Sequence, residues 1–264
     1  MSVSAAIRPY RHVLLDLDGC VWVGDRACDG AVEAVAALRD AGASVLFLTN
    51  DVRHAPEDFV RKLWRLGFQA SLAEVVTVGA AVQYQLAGRD RGTAFVVGSQ
   101  ALVDHVAGAG LRVVNNTPFA TRADVVVVGG HDALRFDELR IATQAVLRGA
   151  ELVGATRDAT FPMPDGPWPG TGAILAAVET AAGRTADLVV GKPEPAMYEA
   201  ARDRLGEGRM LAVGDLLEVD VAGARRAGLD SALVLTGGTS RAEADAADPR
   251  PTHVADSLAA LVLG

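Results

Sequence analysis

Eight short apolar runs rich in branched residues punctuate the chain. They are VLLDL (13–17), VLFLT (45–49), TAFVVG (93–98), DVVVVG (124–129), ELVGA (151–155), DLVVG (187–191), MLAVG (210–214) and SALVL (231–235). Runs of this length with little polar alternation suit strands buried on both faces. Between them, alanine and leucine recur at helical spacing, as in AVEAVAALRDAG (31–42), FDELRIATQAVLRG (136–149) and PAMYEAARDRLG (195–206). Each of these stretches closes on a glycine, a common helix stop. The alternation predicts an α/β fold whose parallel sheets are covered by helices.

In open α/β sheets ligands gather beyond the carboxyl ends of the strands. The residues at the end of each run therefore matter. Asp18 comes directly after the first run, with Asp16 inside its last turn. The second leads into Thr49, Asn50 and Asp51. Lys192 comes directly after 187–191, and Asp215 with Asp220 comes after 210–214. The runs near 93, 124 and 151 end instead in VGS, VGGHD and GAT, without comparable acids or a lysine. More than half the chain separates Thr49 from Lys192. A strand–helix–strand unit needs only ~30 residues. The gap predicts a second α/β unit inserted into the first, at 80–185, with the first unit formed by 1–79 and 186–264.

Composition narrows the function classes. Half of the 264 residues are apolar and mean hydropathy is +0.22, so a substantial core can form. The net charge of −8 and pI near 5.1 argue against nucleic acid or an anionic membrane as partner. A small anionic substrate fits if a local site carries positive charge or a metal ion. Cys20 and Cys28 make no disulfide framework and suit buried thiols in a reducing compartment. MSVSAAIRPYRH lacks the apolar centre of a signal peptide, and no apolar run approaches the ~20 residues of a membrane span. The expectation is a cytoplasmic, soluble protein.

Asp16 and Asp18 pose the chemical question. Residues two apart share one side of a strand, and like charges at short range oppose each other's ionisation. A cation resolves the conflict. Mg²⁺ takes oxygen ligands, usually one or two carboxylates together with substrate phosphate, and Asp16 and Asp215 are candidate carboxylates. A carboxylate beside a phosphoryl group can attack it and form an aspartyl-phosphate. Phosphoryl transfer needs mainly positioning and charge stabilisation. Lys192 would supply charge, and Thr49 and Asn50 neutral donors. Asp18 would protonate the leaving oxygen and later activate water. A free Asp has a pKa of about 3.9 and is only ~0.1% protonated at pH 7, so this role needs an upward shift.

DLDGC (16–20), LTND (48–51), VGKPEP (190–195) and GDLLEVD (214–220) together resemble the four ordered motifs of the haloacid dehalogenase (HAD) superfamily. The first matches DxDG and the fourth GDxxxxD. The stretches VVVGGHDALRFDELRIATQAVLRGAELVGATRD and DATFPMPDGPWPGTGAILAAVETAAGR resemble the cap of the NagD-like phosphatases, HAD class IIA. The resemblance implies a doubly wound, Rossmann-like core with a large inserted α/β cap, which closes over a small phosphorylated metabolite. It implies Asp16 as nucleophile and Asp18 as general acid/base. Mg²⁺ would be held by the side chains of Asp16 and Asp215 and the carbonyl of Asp18, with Asp220 orienting metal-bound water. Thr49, Asn50 and Lys192 would hold the phosphoryl group. NagD-like proteins are often dimers through the cap, and nothing in the sequence decides this here.

The chain departs from the family pattern in places. TND replaces the frequent TNN, and Asp51 is expected to tie down its own loop, with Arg53, rather than touch phosphate. Glu218 and Val219 are unusual in the fourth motif. ATRD replaces TNPD, so Arg157 is a candidate specificity residue. Phe161–Pro162 stands where pyridoxal-phosphate phosphatases have His-Pro, and with Met163 it forms a candidate substrate loop. The pyridoxal substrate is not carried over.

Each motif alone has a plainer explanation. An isolated DxD caps a turn, a lone lysine is a solvated surface residue, Thr49–Asn50 is a strand-end turn, and Asp220 is a helix-start acid. Phe161, Met163 and Trp168 can simply pack the cap. His12, His54, His105, His131 and His253 have no metal-ligand spacing. GTG at 170–172 reads as a turn into a helix. Competing functions are a phosphoryl transferase or mutase on the same scaffold, and a non-catalytic metabolite sensor.

Overall fold

The apolar runs form parallel strands because their side chains are buried on both faces. Val13, Leu14 and Leu15 are at most 1% exposed, and Val126, Val127 and Val128 are fully buried. A computed structural model describes residues 3–88, 92–163 and 165–264, with the Pro162 side chain outside the described set. The fold is α/β, and it divides into two compact units. One comprises Met1–Thr49, Pro56–Val76 and Lys192–Gly264; the other comprises Asn50–Ala55 and Thr77–Gly191. Beside the expected edges at 80 and 185, the second unit starts at Thr77, runs to Gly191 and also takes in 50–55.

The first unit is built on a six-stranded sheet. Its order is His253–Ala255, Asp230–Val234, Met210–Gly214, His12–Asp16, Ser44–Thr49, Val75–Thr77. The registered pairs are parallel. After the first strand the chain winds toward Val75–Thr77, and on its return it winds the opposite way from Met210–Gly214. The strand order therefore reverses at His12–Asp16, and a crevice opens at such a reversal beyond the carboxyl ends. The helix Ala31–Asp40 covers the sheet with Ala31, Ala34, Val35, Ala37 and Leu38, the i, i+3, i+4, i+7 pattern of an amphipathic helix. Its chain then turns at Gly42, φ 85°.

The second unit has a five-stranded sheet ordered Leu188–Val189, Glu151–Gly154, Val125–Gly130, Thr93–Gly98, Arg112–Val113. Ser99 caps the helix Gln100–Gly108 by accepting the Leu102 amide. Helices Phe136–Leu147 and Thr171–Ala182 bury small and branched residues such as Ala142, Ala145, Val146, Leu175 and Val178. GTG at 170–172 does open a helix, with Gly170 at its N-cap. A Cβ on Gly170 or Gly172 would collide with the backbone at Arg157 and Asp158, so close backbone approach accounts for these glycines.

The strand Thr93–Gly98 coincides with its expected run, as does Met210–Gly214. The run 187–191 shrinks to Leu188–Val189. The hairpin Thr160–Met163 with Gly166–Pro169 is unexpected from the sequence. Prolines argue against a central strand, but a two-stranded ribbon consists only of edges. Here Pro162 faces Pro167 and Thr160 faces Pro169. Among the described residues, no helix is long and apolar enough to cross a membrane.

Leu15 lies at the centre of the core sheet, fully buried. Leu15→Ala should cost about 2–5 kcal/mol of stability, measured as a lower urea midpoint with an unchanged m-value.

Candidate active site

Three neighbouring strands end together where the core sheet reverses. Asp16 closes the first, paired with Leu48 of the next. Thr49 stands one residue further along that neighbour and is buried. On the other side Leu15 pairs with Val213, so Asp215 begins just beyond Gly214. Parallel pairing alone thus brings Asp16, Thr49 and Asp215 to one rim.

Lys192 opens the chain's return into this unit and is 3% exposed. A lysine so buried requires partners. Its Nζ donates to Asp16 Oδ1 and, at 2.6 Å, to Asp220 Oδ1. Asp220 sits in the turn Leu217–Val221, and its Oδ2 accepts the Leu216 amide at 3.1 Å. Carboxylate oxygens of Asp16, Asp215 and Asp220 all lie within 4.8 Å of one another. Two of these three acids share one ammonium.

Glycines make this crowding feasible. Gly19 has φ 83°, a conformation that side chains rarely tolerate, and a Cβ there would run into the Asp215 carboxylate. A Cβ on Gly214 would strike Asp220, and one on Gly237 would strike Asp215. The Gly238 amide donates to Asp215 Oδ2 at 2.6 Å. Thr236 Oγ1 donates to the Gly19 carbonyl at 2.5 Å, tying the loop after Asp230–Val234 to the first motif.

The electrostatics follow from burial and charge. Burial pushes the Asp16 carboxyl well above the usual carboxylate range; Lys192 pulls it back, while Asp220 and Asp215 push it further up. Burial also raises Asp215, opposed by the Gly238 amide and reinforced by Asp220. For Lys192, burial alone would favour the neutral amine. Asp16 and Asp220 outweigh it and hold the pKa well above that of an ordinary lysine. The cluster therefore carries a protonated lysine and an excess of carboxylate that a proton or a cation must offset.

The other expected residues are placed differently. The strand ends at Asp16, so the period-two relation to Asp18 does not persist. Asp18 is exposed and lies outside the carboxylate cluster, and its Oδ1 accepts the indole Nε1–H of buried Trp22 at 2.7 Å. Asp220, expected to orient metal-bound water, stands inside the cluster. Asn50 follows Thr49 into the second unit, where its Nδ2 donates to Asp158 Oδ2 at 3.0 Å. Asp51 Oδ1 accepts the Arg53 amide at 2.6 Å, and its Oδ2 lies 2.9 Å from His54 Nδ1. Asp51 thus ties its own loop. Arg157 forks onto Glu179 at 2.8 and 3.2 Å. The Arg53 guanidinium lies 4.0 Å from the centre of the Phe161 ring and 3.8 Å from Met163 Sδ. Pro162 pairs with Pro167 in the hairpin.

Trp22, Thr236, Gly237, Gly238 and Tyr198 support the site without having been expected from the sequence. Only the glycine pair carries a signal, as GG just after a strand marks a tight turn. The others act through contacts between distant segments.

Comparison with known proteins identifies the family. A family model described as haloacid dehalogenase-like hydrolase matches residues 13–112, and a second, HAD-hydrolase-like, matches 189–261. D-glycerol 3-phosphate phosphatase of Mycobacterium tuberculosis is 37% identical over 94% of this chain and 70% of its own length. Human chronophin is 38% identical over 96% of this chain and 92% of its own. The crystal structure of the M. tuberculosis glycerol phosphate phosphatase in complex with magnesium superposes with a TM-score of 0.91 at 36% identity, covering 98% of this chain and 78% of that one. The 4-nitrophenylphosphatase of Thermotoga maritima gives 0.90 at 29% identity, covering 98% of each chain. The chain belongs to the haloacid dehalogenase-like hydrolases and, within them, to the NagD-like phosphomonoesterases.

Asp51 yields a pH-dependent prediction. Burial alone would raise its carboxyl, but hydrogen bonds from His54 and the Arg53 amide outweigh it and hold the pKa below the usual range. A depressed folded-state pKa stabilises above the unfolded value, and that contribution is lost as pH falls through the folded one. Asp51→Asn should therefore be less stable than wild type near neutrality. The difference should shrink as pH falls below about 3.9, followed by urea denaturation of both proteins across the acid range.

Proposed function

We propose that this chain is a Mg²⁺-dependent phosphatase that hydrolyses small phosphorylated metabolites through an aspartyl-phosphate on Asp16. The observation that carries the proposal is the set of three clustered carboxylates, Asp16, Asp215 and Asp220, two of them paired with buried Lys192 at the strand reversal. The donor set fits a hard divalent cation. Its atoms are carboxylate oxygens, which Mg²⁺ prefers over nitrogen or sulfur, and their charge exceeds that of the one ammonium beside them. Asp16 and Asp215 would hold the ion with the Asp18 carbonyl, and Asp220 would orient its water. When bound, the ion supplies positive charge against the phosphoryl oxygens.

The chain's own residues account for the chemistry. An Asp16 carboxylate oxygen attacks phosphorus, and the bond from phosphorus to the leaving oxygen breaks. Asp18, aimed by the Trp22 indole, gives its proton to that oxygen. Water then attacks the phosphorus of the aspartyl-phosphate, its proton passes to Asp18, and the bond to Asp16 breaks to release phosphate. This division makes each displacement easier than direct hydrolysis. Lys192 neutralises charge on the transferred group, and Thr49 and Asn50 donate to its oxygens. An amide has two N–H donors. One of these is given to Asp158, which sets the orientation of the Asn50 side chain.

Relatives named for glycerol phosphate, sugar and nitrophenyl phosphate support small phosphomonoesters as the substrate class. The test is phosphate release from glycerol 3-phosphate, a sugar phosphate and 4-nitrophenyl phosphate, with Mg²⁺ and with EDTA. Turnover should require the metal and fall on the order of 10³-fold or more in Asp16→Asn. Turnover that survives either EDTA or the substitution rules out the mechanism.

A further inference from the structure

Tyr198 is a buried phenol to which the catalytic steps give no work. It lies in the helix Ala196–Leu205 and is 2% exposed. Its hydroxyl donates to the backbone carbonyl of Asp220 at 3.3 Å. It lines a small cavity beneath the site together with Leu14, Asp16, Leu48, Lys192 and Asp220. A buried phenol usually finds a partner for its hydroxyl; this one finds it on the backbone of a residue in the carboxylate cluster.

A second observation is independent of that bond. Gly223 faces the phenol, and a Cβ there would lie 2.7 Å from the hydroxyl and 2.9 Å from Cε2. Gly223 has no need of a left-handed backbone, since it lies inside the helix Ala222–Arg226. Glycine in a helix is less favourable than alanine. The space it leaves is the space the ring and hydroxyl occupy.

We propose that Tyr198 is a positioning residue. Its hydroxyl, seated against Gly223, fixes the backbone of Asp220 so that the Asp220 carboxylate stays in register with Asp16 and Asp215 for a divalent cation. Asp220 needs such support. Its turn Leu217–Val221 is wound more widely than an α-helix, and a wide turn has fewer good bonds of its own to set the carboxylate. One side-chain oxygen is held by the Leu216 amide and the other by Lys192. Those bonds orient the carboxylate, and Tyr198 anchors the main chain that carries it. Partners behind the groups around a metal tune its affinity without touching it.

This inference rests on the metal-dependent reading of the site, and the experiment separates the two. Tyr198→Phe keeps the ring and removes only the hydroxyl. Mg²⁺ alone is titrated calorimetrically into the full-length wild-type and variant chains, and thermal unfolding is followed in EDTA. Outer partners typically change metal affinity 10- to 100-fold. This single long bond should give a loss of about 10-fold, near the lower end of that range, with unfolding in EDTA little changed and KM for the ester unaltered at saturating metal. Equal Mg²⁺ affinity in the two proteins overturns the role of Tyr198 and leaves the metal site standing. Lower thermal stability with unchanged affinity also overturns it, because the phenol is then only packing. A wild type that takes up no Mg²⁺ overturns the metal site and this inference together.

Discussion

The ammonium of Lys192, shared between Asp16 and Asp220, is the interaction on which the site depends. Burying a lysine is costly unless it is fully paired, and removing one partner from a buried pair leaves an uncompensated charge. The pairing joins three distant segments: the end of the first strand, the return from the inserted unit and the turn after Met210–Gly214. Asp215 adds a third carboxylate within reach. The set is unbalanced in charge, and that imbalance suits it to a cation and a phosphoryl group.

Everything around the set serves to hold like charges close. The parallel sheet brings the ends of three strands to one rim at a reversal of strand order. Gly19, Gly214 and Gly237 leave no Cβ where the carboxylates pass. Backbone amides of Leu216 and Gly238 each donate to one of the carboxylates. Fixed dipoles of this kind need no rearrangement when charge develops during reaction, which is why such sites lower barriers.

The second unit shows the same economy around a different centre. Asn50, Asp51 and Arg53 leave the core's second motif and are tied within that unit to Asp158, to their own loop and to Phe161. Arg157, a candidate specificity residue from its place in the ATRD stretch, is held by both carboxylate oxygens of Glu179. Phe161 and Met163 lie on a proline-rich hairpin and share the Arg53 guanidinium. Residues that stand out individually in the sequence are here parts of one local network.

The sequence by itself determined the α/β alternation, the parallel sheets and the identity of the residues at the strand ends. Buried parallel strands must be apolar along their length, so a polar residue at the end of such a run is conspicuous. Asp16, Thr49, Lys192 and Asp215 were legible for that reason, and the motif resemblance supplied their proposed roles. Tertiary structure decided what depends on contact between distant segments. It turned the chain after Asp16 and gave Asp18 to Trp22. It placed Asp220 inside the acidic cluster, and it drew 50–55 into the second unit. It also set Tyr198 behind Asp220 in the space left by Gly223. None of these has a local signature, because a hydrogen bond across the fold leaves no periodicity in the chain on either side of it.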